Sequence, residues 1–85
     1  MKWTRLAAEQ GYAFAQRNLG AMYAFGQGVL KDFVYAHMWG NIAASIGSEI
    51  GGKLRDAVAK EMTPAEISRA KDLAHECVRK KFKDC

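Results

Sequence analysis

Apolar and small residues recur at helical spacing through most of this chain. Between Ala13 and Gly26 the positions Ala15, Leu19, Tyr23 and Gly26 stand at i, i+4, i+8 and i+11. That is one stripe of a 3.6-residue period, which predicts a helix rather than a strand. Gly26 and Gly28 can take the positive φ values that stop a helix and turn the chain. Asp32 is placed to cap a second helix, whose stripe is Ala36, Trp39, Gly40 and Ala43. Small residues at matching positions let two antiparallel helices approach closely, so Ala13 to Gly47 predicts a helix–turn–helix hairpin. The second helix is apolar nearly all round. Phe33, Ala36, Trp39 and Ala43 lie on one side, and Tyr35, Met38, Ile42 and Ile46 on the other. Such a helix is expected between neighbours on both sides.

The flanking segments supply those neighbours. Met1 to Gln10 reads as a helix with Trp3, Leu6, Ala7 and Gln10 on its inner face, ended by Gly11. Ser48 to Gly52 reads as a loop or frayed start. From Lys53 to Met62, the residues Leu54, Ala57, Val58 and Met62 form a further helical stripe. Thr63-Pro64-Ala65-Glu66 is the sharpest local signal. Thr63 can cap, Pro64 suits a first helical turn, and Glu66 completes a capping box. The helix that follows gathers Ile67, Ala70, Leu73, Ala74, Cys77, Val78 and Phe82 on one face. Glu66, Arg69, Asp72, Glu76, Arg79, Lys80 and Lys83 fall on the other. One apolar and one solvated face is what a terminal capping element of a solenoid needs.

The hairpin also shows signs of repetition. Trp3, Ala7, Ala8 and Gly11 reappear 36 residues on as Trp39, Ala43, Ala44 and Gly47. A fixed period of this size is a signature of helical arrays. The pattern Ala15…Leu19-Gly20…Tyr23…Gly26-x-Gly28-Val29…Asp32…Ala36…Trp39…Ala43-Ala44…Gly47 resembles a Sel-one-like repeat, a relative of the tetratricopeptide repeat. The Gly-x-Gly-Val turn followed by Asp separates it from ordinary tetratricopeptide repeats. Leu30 stands where that family usually has Pro, and Gly40 where an aromatic residue is common. The resemblance implies an all-α fold, a short right-handed α–α superhelix (solenoid) of helix–turn–helix repeats with a C-terminal capping helix pair. Residues 1–12 would be the second helix of a preceding repeat, 13–47 a complete repeat, and 48–85 the capping helices. It also implies protein–protein interaction and not catalysis.

Composition narrows the picture further. At 85 residues and 49% apolar, the chain suits a single small domain. No run approaches the roughly 18 apolar residues of a membrane span. Behind the basic start Lys2-Trp3-Thr4-Arg5, Glu9 and Gln10 arrive too soon for a signal peptide. Since the chain opens inside a repeat, this says little about a parent protein. The net charge of +4 is mild. The cluster Arg79, Lys80, Lys81 and Lys83 could meet nucleic acid or an anionic surface. Cations at a helix C-terminus also favour the helix dipole without any partner. On one helix, Cys77 and Cys85 would be about 12 Å apart, too far for a disulfide. The expectation is a buried thiol at Cys77, a mobile exposed one at Cys85, and a reducing, cytoplasmic setting, with an exported parent protein left open. His37 and His75 are expected as surface or cap histidines. His75 and Cys77, two apart, point away from each other and cannot share a metal. Gly26-Gln27-Gly28 lacks the third Gly and the Lys-Ser/Thr pair of a phosphate loop. No cofactor, metal site or catalytic constellation is predicted.

What remains is a surface for a protein or peptide. In tetratricopeptide-type arrays the first helix of each pair lines the concave groove. By position, the resemblance assigns that role to Phe14, Arg17, Asn18, Ala21, Ala24 and Phe25. Phe14, Asn18, Ala21 and Phe25 form a stripe of their own, away from the core one, and two Phe on a face the core does not use mark a contact surface. The predicted function is a scaffold or adaptor binding a protein segment. A basic accessory domain acting through the last helix is the alternative. Exposed repeat ends also point to self-association.

Overall fold

A computed structural model describes residues 2–85. They form five helices in succession: α1 (Lys2–Glu9), α2 (Ala13–Phe25), α3 (Phe33–Ser45), α4 (Glu49–Ala59) and α5 (Pro64–Arg79). Among the described residues there is no strand. Whether the first helix begins at Met1 lies outside them.

The central hairpin forms as its sequence predicts. α2 stops at Gly26, which takes φ 68° and donates its N–H to the Met22 carbonyl, and Gly28 continues the turn at φ 78°. The Asp32 N–H then reaches back to the Tyr23 carbonyl at 2.9 Å. Asp32 Oδ1 accepts from the N–H groups of Val34 and Tyr35 at 2.9 and 3.2 Å, satisfying two of the free donors of the α3 first turn. α3 is the middle of the molecule, with α2, α4 and α5 all packed on it. Trp39 is fully buried in a core with Ala8, Ala15, Leu19, Met38, Ile42, Ala74 and Cys77. A second, smaller core joins Ala24, Ala36 and Val58.

Several expectations need correction. On α1, Trp3 is 81% exposed, and Leu6 and Gln10 are exposed as well. The helix packs through Ala7, as expected, and through Ala8, and Gln16 Nε2 donates to the Ala8 carbonyl at 3.1 Å. An alanine face lets α1 settle directly on α2, and this orientation turns Trp3 outward. Ile46, expected on the second apolar side of α3, is its C-cap residue and exposed.

α4 begins at Glu49, four residues before the predicted Lys53. Ser48 caps it, its Oγ accepting from the Gly51 N–H at 2.9 Å. Gly51 faces Gly40 and Ala43 of α3 at a crossing too tight for a larger side chain. Packing here outweighs the weak helix propensity of a Gly pair. The same crossing explains why Gly40 occupies a position where an aromatic residue would suit the family pattern. On α4, Val58 is buried, while Ala57 faces solvent.

The capping box at α5 is present in full. Thr63 Oγ1 accepts from the Glu66 N–H at 3.1 Å, and Glu66 Oε1 accepts from the Thr63 N–H at 2.8 Å. α5 ends at Arg79 and does not run on to Phe82. The Phe82 N–H returns to the Cys77 carbonyl at 2.8 Å, and Lys81, Phe82 and Asp84 all take positive φ. The tail therefore doubles back. It brings the Cys85 Cα to 5.6 Å from that of Cys77, and the two form a disulfide. The expected separation assumed a continuous helix, and the left-handed residues remove that premise. Cys77 is buried as expected, but neither cysteine is a free thiol. Phe82 folds under the tail and packs over Gly11.

Candidate partner-binding site

α2 turns Ala15, Gln16, Leu19, Gly20 and Ala24 inward. The opposite face carries Phe14 and Phe25, each 70% exposed, with Arg17, Asn18 and Ala21 half-buried between them. The stripe expected of a contact surface thus does lie on one side of one helix. Its two Phe are about 16 Å apart along the axis. The Arg17 guanidinium sits 4.7 Å from the centroid of the Phe14 ring, an arrangement that holds both side chains in place while leaving the guanidinium hydrogens free. Ala24 does not belong to this face. One position before Phe25, it points toward α4 and is buried against Ala36 and Val58.

The histidines separate. His75 is exposed on α5. His37 is only 2% exposed, and its Nδ1 has no hydrogen-bond partner, contrary to the surface position expected of it. It lies on the part of α3 that α4 and α5 cover. Burial pushes its imidazole below the usual value; Arg55 and Lys71 push the same way, and Asp56 opposes them. Arg55 donates through Nη1 to Asn41 Oδ1 at 2.9 Å and through Nε to Asp56 Oδ1 at 3.0 Å. A cavity of about 380 Å³ opens here, with His37, Asn41, Arg55 and Lys71 in its wall. A second, of about 360 Å³, adjoins it at Asn41 and is lined mainly by Ile42, Ala74, His75 and Val78. Sequence periodicity missed this region. A histidine inside the apolar run Ala36 to Trp39 was the available signal.

Arg79, Lys80, Lys81 and Lys83 are all exposed at the end of α5, with Arg79 paired to Glu76. Among the described residues, no three His, Cys, Asp or Glu side chains are grouped to hold a metal ion. No helix of the described residues is long and apolar enough to cross a membrane.

Paired helices stacked about a buried α3, with one helix face left apolar and open, define an all-α solenoid built from helix–turn–helix repeats. The Sel1 repeat model matches residues 1–12 and 13–48, and the chain belongs to that family. A crystal structure of a protective antigen present in uropathogenic Escherichia coli strains, displaying an SLR fold, is similar over 94% of the chain, with 30% identity and a TM-score of 0.87. The chain spans 18% of the length of that protein. No curated protein gives a significant match. Sel1 repeats are generally protein–protein interaction modules and generally not catalysts.

Proposed function

We propose that this chain is a non-catalytic scaffold or adaptor that holds a segment of a partner protein on the outer face of α2, with α4 and α5 closing the array. The observation that carries this is the pair of exposed rings, Phe14 and Phe25, on one stripe with Arg17 and Asn18 between them. Interface energy concentrates in a few aromatic and arginine anchors. Asn18 can both donate to and accept from a peptide backbone, and Arg17 can meet a carboxylate.

Replacing Phe14 and Arg17 together by Ala tests the reading. Photo-crosslinkers placed at Ala21 identify what the face holds. Capture of that identified partner should fall by about tenfold, with helical circular dichroism and melting unchanged. The four exposed cations at the end of α5 favour a second reading, a basic domain on nucleic acid or an anionic surface. In that case reversing the charges of Arg79, Lys80 and Lys81 abolishes binding, and binding falls steeply with salt. Under the first reading the same reversal leaves capture intact.

A further inference from the structure

α4 and α5 both rest on α3 and scarcely touch each other. A cleft opens over α3, walled by α4 and α5 in its first part and by α5 alone in its second, with α3 as the floor of both. From His37 to Ser45 that floor is about 12 Å long. The two adjoining cavities are its two halves, meeting at Asn41.

The halves differ chemically. Toward the end of α5 the wall is mainly apolar, made by Ile42, Ala74 and Val78, the last 48% exposed, with Ser45, His75 and Arg79 also lining it. Toward the start of α5, Arg55 of α4 and Lys71 of α5 line the cavity together with His37. Arg55 uses Nε and Nη1 on Asp56 and Asn41, and its Nη2, beside Gly52, has no acceptor among the described residues. Lys71 makes no ion pair among the described residues. Asp56 is the sole carboxylate in this half's wall, and it is turned to solvent and held by Arg55 Nε. The buried His37 Nδ1 has no partner among the described residues, and a polar atom desolvated without compensation is costly. Unspent donors on two cations beside an apolar trough are complementary to a ligand bearing both a carboxylate and an apolar side chain.

We propose that the α4–α5 cleft is a second docking site, separate from the α2 face, for an acidic peptide segment of a partner protein. An apolar side chain fills the Ile42–Ala74–Val78 half, and an Asp or Glu carboxylate takes hydrogen bonds from Arg55 Nη2 and Lys71. The cleft's length suits an apolar and an acidic residue one helical turn apart. A carboxylate in this half also favours the imidazolium of His37. Of the groups facing that ring, Arg55 on α4 and Lys71 on α5 then oppose its protonation less, and Asp56 on α4 already supports it. Binding therefore takes up a proton.

The experiment uses the whole chain, isotopically labelled, and two capped helical peptides. One carries Leu and Glu four positions apart; the other is identical with Gln for Glu. The Glu peptide should shift the resonances of His37, Asn41, Arg55, Lys71 and Val78, and bind at least about fivefold tighter than the Gln peptide. Lys71→Gln, a solvent-side change that leaves folding intact, should remove most of that preference, and Arg55→Gln should act in the same direction. Affinity for the Glu peptide should rise as pH falls from about 7.5 to about 6, with the His37 ring signals titrating at higher pH in the complex. The Phe14→Ala, Arg17→Ala pair should leave all of this unchanged, so loss of the α2 surface and loss of the cleft are told apart. Equal binding of the two peptides, shifts confined to α2, or a short single-stranded DNA of matched charge binding the cleft more tightly would each overturn the proposal.

Discussion

Gly40 and Gly51 face each other across the crossing of α3 and α4. A Cβ on Gly40 would stand 2.9 Å from the Gly51 carbonyl oxygen, and one on Gly51 would stand 2.8 Å from the Ala43 Cβ. Neither contact can be relieved by swinging a flexible side chain. Gly40→Ala and Gly51→Ala should therefore each destabilise the fold, by about 1–3 kcal/mol from overpacking, less the helix propensity gained. Gly52 next door is the control, since its added Cβ would meet Ala44 at an ordinary 3.6 Å. Gly52→Ala should be neutral or stabilise by up to about 1 kcal/mol. Urea midpoints of the three variants check the ordering.

Trp39 fills the centre of the larger core and is fully buried. Trp39→Ala should cost about 3–5 kcal/mol, a large share of what a domain of this size has to lose. A variant melting within a couple of degrees of the parent would contradict the packing described.

His37 makes stability depend on pH in a definite direction. Its folded-state pKa is lowered from 6.5, so below that value the unfolded chain binds more protons than the folded one. Stability is then fully present above about pH 6.5 and declines as pH falls toward the depressed folded value. His37→Phe should flatten the urea midpoint between about pH 7.5 and about pH 5.5. A slope unchanged by the substitution would assign the effect to other groups.

The tail is held by the Cys77–Cys85 bond. Reduction, or Cys85→Ser, should lower stability by about 2 kcal/mol, the loop-closure value for so short a loop less the cost of its left-handed residues. Helical circular dichroism should hardly change, because the segment the bridge holds, beyond Arg79, is not helical. An equal melting temperature with and without reductant would show that the tail contributes nothing.

Trp3, Phe14 and Phe25 all lie open to water, and exposed apolar area of this kind drives association. We expect self-association that rises with concentration, read by sedimentation, and weakening in Trp3→Lys. A monomer at every concentration would rule it out.

How much of the molecule is legible in its sequence depends on whether the deciding interaction is local. The Asp32 cap, the Gly26 turn and the Thr63–Glu66 capping box involve residues within a few positions of each other, and sequence spacing identifies them. The near-continuous apolar run of α3 by itself marks that helix as central. The start of α4 is hidden because it depends on a partner glycine in another helix. The outward turn of Trp3 is hidden because two alanines, not the larger residues, set the α1 contact. The stripe of Phe14, Asn18, Ala21 and Phe25 is readable from period, whereas Arg17 joins that face only by its position within the repeat. The cleft is not readable, since no helical wheel shows that α4 and α5 stand apart, and the local signal of a histidine in the apolar run of α3 does not say what surrounds it.

The packing of Phe82 over Gly11 joins the tail to the link between the first two helices. Repeat arrays contact only their neighbours, so their ends can melt piecemeal. Here Ala8 of α1 and Cys77 of α5 share one core, and the tail hooks onto the turn after α1. We expect fraying of the first helix to loosen the last, so that the two exchange their amide hydrogens together. Within this stretch the tail thus ties together helices that a repeat array would otherwise leave to melt independently.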